Sequence, residues 1–239
     1  MSELVLLKEI YPTIRITTKC TQRCSHCCYE CSPEKKDMMT VRTANKIYDF
    51  LQEYKIESIN VMGGEFFCNP HWREILHRLS IWRNYVRLAT NSDWVAISKE
   101  VVDFLKGHFN VYMALSCDEF HSNKNVARAE RILGKNKLPF VRDVIPTHEV
   151  VPVGRGENYY GGFFTLFGCY CKNPNHECQS MLIDEKGNVY KCPFGLWKLG
   201  NIDSYDGDCI KHLEHFNKQF NKSGIMSCSE CLRIWRRMN

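Results

Sequence analysis

The sequence predicts an α/β protein: an open, partial (β/α)6 barrel of the TIM type, followed by a small cysteine-rich C-terminal region. Three observations predict it. Short β-rich runs alternate with amphipathic helical segments at intervals of roughly 25–30 residues, the mark of βα units and a parallel sheet. Five or six such units fit the first two-thirds of the chain, fewer than the eight that close a full barrel. The alternation then stops near Val153-Gly154-Arg155-Gly156, and the stretch from there to Cys178 is rich in Gly, Tyr, Phe and Asn. The boundary lies within about residues 150–165, so the predicted units are 1–155 and 156–239.

The elements follow in order. Thr13-Ile14-Arg15-Ile16-Thr17 is a β-branched run leading into a cysteine loop. Thr40 caps a helix whose apolar residues Val41, Ala44, Ile47, Tyr48, Leu51 and Tyr54 recur at helical spacing. Ser58-Ile59-Asn60-Val61-Met62 is a strand ending at Gly63-Gly64. Pro70 opens a helix through Trp72, Ile75, Leu76, Leu79 and Trp82. Tyr85 to Ala89 is the next strand, and Ser98 caps a helix through Val101, Val102, Phe104 and Leu105. Val111 to Leu115 is a fourth strand, Val126 to Leu133 a charged helix, and Phe140 to Ile145 a fifth strand. In the C-terminal region, Leu182-Ile183 and Val189-Tyr190 flank a turn at Gly187, a hairpin that delivers Cys192.

The totals bound the function. A chain of 239 residues with 44% hydrophobic and 25% charged content builds one large core, or one domain with a small appendage. The net charge of +5 is mild and the densest basic patch is Arg233-Ile234-Trp235-Arg236-Arg237, so a nucleic-acid partner is not indicated. The first residues lack the length and cleavage site of a signal peptide, and no apolar run reaches membrane-span length. Fourteen cysteines without an export signal point to a reducing, cytoplasmic setting, where thiols hold metals or do redox chemistry.

The densest thiol cluster is Cys20-Thr21-Gln22-Arg23-Cys24-Ser25-His26-Cys27, a C-x3-C-x2-C loop directly after the first strand. A cubane iron–sulfur cluster has four irons to cap, so three thiolates leave one iron open for another ligand. Zinc competes as a reading, because Cys24/Cys27 and Cys28/Cys31 also form two consecutive C-x2-C pairs. Gly63-Gly64-Glu65 ends the adjacent strand, where ligands bind in parallel sheets. Glycines there admit a ligand to the backbone and a carboxylate can accept from a cationic amine, although a plain turn would read the same way.

Together these motifs resemble the radical S-adenosylmethionine (SAM) superfamily. The resemblance implies a [4Fe–4S] cluster on Cys20, Cys24 and Cys27, with SAM chelating the open iron and Gly63, Gly64 and Glu65 serving its amino group. It implies reductive cleavage of SAM to a 5′-deoxyadenosyl radical that takes hydrogen from a substrate. It also implies ribose or methionine contacts at the next strand ends, carried over to Asn91 and Ser116, where capping of the following helices is the competing account. The family's Gly-rich adenine pattern is missing from the fifth strand; the backbone of His26 is one candidate for that contact.

The tail resembles the auxiliary-cluster region of the SPASM and twitch subfamilies, and its shortness fits the one-cluster twitch form. The ligand set implied is Cys178, Cys192, Cys228 and Cys231, with Cys169 or Cys171 as substitutes for Cys178. Four thiolates close such a second [4Fe–4S] cluster, which would relay electrons and not bind SAM; a structural zinc suits the same ligands. Pro152-Val153-Gly154-Arg155 also looks like a segment preceding that region, which makes Arg155 a candidate catalytic residue at the barrel mouth, against a plain surface arginine. The function expected is an oxidoreductase or maturase that oxidises or cross-links a peptide or small molecule, reduced by an external flavodoxin or ferredoxin. Only 19 residues precede Cys20, too few for a leader-binding domain, which favours a small molecule or a peptide presented by another protein. The alternative from another class is a non-catalytic Fe–S or zinc protein that binds a partner or RNA.

Overall fold

The structure, a computed structural model, describes residues 11–81, 85–121, 123–143, 155 and 180–204. Its elements are β1 (Tyr11–Arg15), α1 (Val41–Glu53), β2 (Ser58–Met62), α2 (Trp72–Ser80), β3 (Tyr85–Thr90), α3 (Ser98–Lys106), β4 (Val111–Ser116), α4 (Asn123–Lys135), β5 (Phe140–Asp143), β6 (Ser180–Ile183), β7 (Asn188–Tyr190) and β8 (Lys198–Asn201). The strands form one sheet in the order β5-β4-β3-β2-β1-β6-β7-β8. All pairs from β5 through β6 are parallel, while β6–β7 and β7–β8 are antiparallel.

The α/β class and the parallel sheet agree with the expectation, and the pattern of apolar residues explains them. Each helix buries one stripe: Ala44, Ile47, Phe50 and Leu51 on α1, and Ile75, Leu76 and Leu79 on α2. Along β2 burial alternates, with Ile59 and Val61 inward. The middle of β4 is buried on both faces at Met113, Ala114 and Leu115, as a parallel strand covered from both sides requires. Thr40 caps α1 by accepting from the Thr43 N–H at 3.1 Å.

Three local expectations are corrected. Ser98 is not the cap of α3: it already has helical dihedrals (φ −57°, ψ −36°) and makes no capping bond, because a 3-10 turn at Asp93–Ile97 feeds directly into the helix. The second helix runs from Trp72 to Ser80, starting two residues after Pro70, and Trp82 lies outside the described residues. The first strand covers Tyr11–Arg15 instead of 13–17, since Thr17 already bridges back to Met38 within the loop.

The hairpin turns at Gly187 (φ +77°), where a side chain would be strained and would also meet the Ile202 Cγ2 atom at 2.6 Å. It does not stand apart from the sheet. Its fully buried run Met181-Leu182-Ile183 pairs in parallel with β1, Thr13 facing Leu182 and Ile14 facing Ile183. The sequence named the hairpin and not this pairing. β8 is a further strand the sequence did not mark, because Lys198-Leu199-Gly200-Asn201 has little β propensity.

Candidate functional site

The site is built at the C-terminal ends of β1, β2, β3 and β4. Strand register brings these ends level: Arg15 faces Met62, Thr90 faces Leu115, and Ser116 faces Asp143. Beyond β1 the chain loops out and returns as a clasp. The Cys20 N–H donates to the Ser32 carbonyl (3.1 Å), Ser32 N–H to Thr18 (3.3 Å), and Met39 N–H to Ile16 (2.8 Å). The buried Asn69 ties both arms by donating to the Ile16 and Met39 carbonyls. Inside the clasp, turns close from Cys24 to Cys27 and from Cys27 to Glu30.

The glycine motif is fastened to the start of that loop. The Gly64 N–H donates to the Thr17 carbonyl (2.8 Å) and the Glu65 N–H to that of Lys19 (2.9 Å), continuing the β1–β2 ladder past both strands. A Cβ on Gly64 would lie 2.2 Å from the Lys19 carbonyl oxygen and 2.8 Å from the Cys20 Cβ atom. Only glycine permits this approach. The two motifs that the sequence held 36 positions apart therefore touch.

Glu65 is buried, 1% exposed. Its carboxylate accepts from the Thr90 hydroxyl (2.8 Å) and the Asn91 N–H (2.9 Å), and burial nevertheless raises its pKa to about 7. Asn91 in turn donates from Nδ2 to the Thr21 hydroxyl (2.9 Å) and to the Cys20 sulfur (3.7 Å). Thr21 bonds Asp93, which also accepts from Asn125 Nδ2 (2.7 Å). Sequence reasoning missed Thr21, Thr90, Asp93 and Asn125; Thr90 carried the one available signal, its place at the strand end beside Asn91. Ser116 ends β4 as expected, and the Cys117 N–H after it donates to Asp143 (2.8 Å).

On the opposite flank, the His26 ring stacks on Phe120 (4.3 Å between centroids) and meets His121 edge-on (5.1 Å). His121 Nδ1 is 2.7 Å from Asp118 Oδ1. The His26 Nδ1 and Asp118 Oδ2 atoms are buried and have no hydrogen-bond partner among the described residues. Burial lowers the His26 pKa to about 4, so the ring is neutral at physiological pH.

The thiols themselves fit a metal cluster. Burial raises Cys20 to about 12 and Cys24 to about 11, so neither ionises without a cation to compensate. The Cys27 thiol is lowered to about 6, chiefly by its hydrogen bond with Cys31. Backbone N–H groups already point at two of the sulfurs, Gln22 at Cys20 (3.4 Å) and Cys31 at Cys27 (3.3 Å), the arrangement that stabilises thiolate ligands. Arg155 lies against the same loop, bonded to its carbonyls.

The loop also reaches the hairpin. The Tyr29 hydroxyl donates to the Pro193 carbonyl, one residue past Cys192. The Arg15 guanidinium lies 4.9 Å from the centre of the Tyr29 ring and binds the buried Glu185 (2.8 Å). Arg15 and Tyr29 border a cavity of about 270 Å³ that Cys28, Tyr190 and Phe194 also line. Of the expected tail ligands only Cys192 lies among the described residues; Cys178, Cys228 and Cys231, with Cys169 and Cys171, lie outside them.

A parallel sheet carrying a three-thiol loop and a glycine turn at the ends of its strands defines a class of cluster-dependent proteins. The Radical SAM superfamily model matches residues 14–148, more than half of the sequence, and the chain belongs to that superfamily. Its fold is similar to that of BtrN in complex with AdoMet and 2-DOIA (14% identity, 89% of this chain and 87% of that chain, TM-score 0.64). It is similar to native anSMEcpe with bound AdoMet (15%, 90% and 83%, 0.63) and to Streptococcus suis SuiB bound to precursor peptide SuiA (13%, 90% and 66%, 0.56). No curated protein matches the chain by sequence. Membership makes the protein an enzyme of SAM-dependent radical chemistry, with SAM and a [4Fe–4S] cluster as cofactors. Among the described residues no helix is long and apolar enough to cross a membrane.

Proposed function

We propose that this enzyme cleaves SAM reductively and abstracts hydrogen from a peptide or small-molecule substrate, acting as an oxidoreductase or maturase of the twitch type. The observation that supports the reading is the close approach of Gly64 to Lys19 and Cys20, the Gly63–Glu65 turn lying against the three-cysteine loop. When bound, the cluster supplies the electron that breaks a sulfonium C–S bond of SAM.

The chain's own residues divide the remaining work. Cys20, Cys24 and Cys27 hold the cluster. Gly63 and Gly64 open the backbone to the methionine end of SAM. Glu65 accepts from its amine through lone pairs that Thr90 and Asn91 leave free. Asn91 and Ser116 serve the ribose or carboxylate, and His26 meets the adenine at the flank where its Nδ1 and Asp118 Oδ2 await partners. Residues 156–239 hold a second, auxiliary [4Fe–4S] cluster on Cys178, Cys192, Cys228 and Cys231, which takes the electron lost by the substrate radical. BtrN was solved with a small molecule and SuiB with its precursor peptide, and either substrate class suits this reading. The electron donor is a cytoplasmic flavodoxin or ferredoxin.

Anaerobic reduction of the reconstituted enzyme with SAM tests it, with chromatography for 5′-deoxyadenosine. The wild type should form it and Cys24→Ala should not. A fully loaded wild type that forms none would return the chain to a binding role for a metal-stabilised protein or RNA partner.

A further inference from the structure

Arg155 comes from beyond β5, more than 120 positions after the cysteine loop, yet its bonds to the described residues fall on that loop. Its backbone N–H donates to the Cys27 carbonyl (3.1 Å), its Nε to Cys24 (2.9 Å) and its Nη2 to Cys31 (2.6 Å). Two of these carbonyls already close turns, Cys24 accepting from the Cys27 N–H and Cys27 from the Glu30 N–H. Arg155 thus fixes the outer face of the turns that space the thiols. A planar fork can bridge two carbonyls at fixed separation; a lysine ammonium cannot reproduce that geometry.

The charge matters as well as the fork. Reduction adds an electron to a cluster already made anionic by its thiolates, so a fixed cation nearby favours the reduced form. We propose that Arg155 is a positioning residue for the SAM-binding cluster, holding the thiolate loop in register and raising the cluster's reduction potential. It acts through the loop and not on the substrate, which differs from the catalytic role its sequence context suggests. The proposal rests on Cys20, Cys24 and Cys27 being the cluster ligands.

The test uses the full chain, reconstituted anaerobically, as wild type, Arg155→Lys and Arg155→Met. Two quantities are read: the midpoint potential of the cluster whose electron paramagnetic resonance signal changes on adding SAM, and the rate of iron loss to a ferrous chelator. Arg155→Met, which loses both guanidinium bonds to the loop, should shift the potential to more negative values and lose iron at least roughly tenfold faster. Arg155→Lys should lose iron nearly as fast but keep a potential close to the wild type. Faster iron loss with unmoved potentials in both would overturn the electrostatic claim, and no change in either quantity would overturn the whole. Should Arg155→Met take up no cluster, Arg155→Gln, neutral but still a donor, replaces it in both measurements. The Cys20/Cys24/Cys27→Ala variant is run alongside: a SAM-responsive signal surviving there overturns the ligand reading itself, separately from the role of Arg155.

Discussion

At the scale of the residue, Glu65 is a group under tension. A carboxyl 1% exposed is held by neutral donors, the Thr90 hydroxyl and the backbone N–H groups of Asn91 and Phe67, while the charge of Asp93 opposes its ionisation. Its folded pKa of about 7 lies above the unfolded value of about 4.3. Below the lower value both states hold the proton. Between the two the folded state keeps a proton that the unfolded chain has released, so stability falls as pH rises, and the full cost, on the order of 3 kcal/mol, is reached above pH ~7. Glu65→Gln removes the titration while keeping the shape. Denaturation of the metal-free protein between about pH 4 and pH 8 should show the wild type losing stability relative to the variant as pH rises. Parallel pH profiles for the two proteins would mean that Glu65 is not titrating in this window. The same tension explains why a bound amine suits this site: the incoming donor supplies what the fold withholds.

At the scale of the element, the β1 loop and the β2 turn act as one piece, and the two glycines of the turn are not equivalent. A Cβ on Gly64 would sit 2.2 Å from a backbone oxygen, which has nowhere to go because Lys19 is itself bonded to Glu65. A Cβ on Gly63 would be 3.0 Å from the Thr17 Cγ2 and carbonyl oxygen atoms, tight but open to a small shift. Gly64→Ala should therefore displace Cys20 and cut cluster iron to a small fraction of the wild type, while Gly63→Ala keeps most of it. Iron analysis after identical reconstitution decides, and equal loading of the two variants would show that the loop tolerates the clash. Legibility in the sequence follows the same division. Cys20 to Cys27 and Gly63 to Glu65 are contiguous, so their spacing reveals them. The bonds among Thr21, Asn91 and Asp93 join positions about seventy residues apart through common polar side chains, and nothing local marks them. The pairing of β6 with β1 was hidden for the same reason. A buried run such as Met181-Leu182-Ile183 says that it needs two covered faces and not which strand it lies beside. Ser98 misled because a serine before a helical stripe reads as a cap, and the 3-10 turn ahead of it left no cap to fill.

At the scale of the whole molecule, the question is how the chemistry at the loop communicates with the tail. The sheet runs without a break from β5 to β8, and the cysteine loop touches the hairpin through Tyr29 and Arg15. A rigid seat for Cys192 beside the loop is what an auxiliary cluster would need in order to take an electron from a substrate radical between them. If both clusters form, anaerobic reconstitution should give about eight irons per chain, and Cys20/Cys24/Cys27→Ala should leave roughly half. The two clusters should then separate by role. Three thiolates leave an iron open, so SAM cleavage depends on Cys20, Cys24 and Cys27 absolutely. Four thiolates leave none open, so Cys192/Cys231→Ala should still form 5′-deoxyadenosine while the oxidised product disappears. Disturbance of the hairpin could imitate that loss, because Cys192 neighbours the Pro193 carbonyl that anchors Tyr29. The variant must therefore first show the SAM-responsive resonance of the loop cluster at wild-type intensity. Given that signal, full product from the variant would make the tail structural and leave the oxidation without its electron acceptor. One zinc and four irons in protein purified without air would assign the tail to zinc.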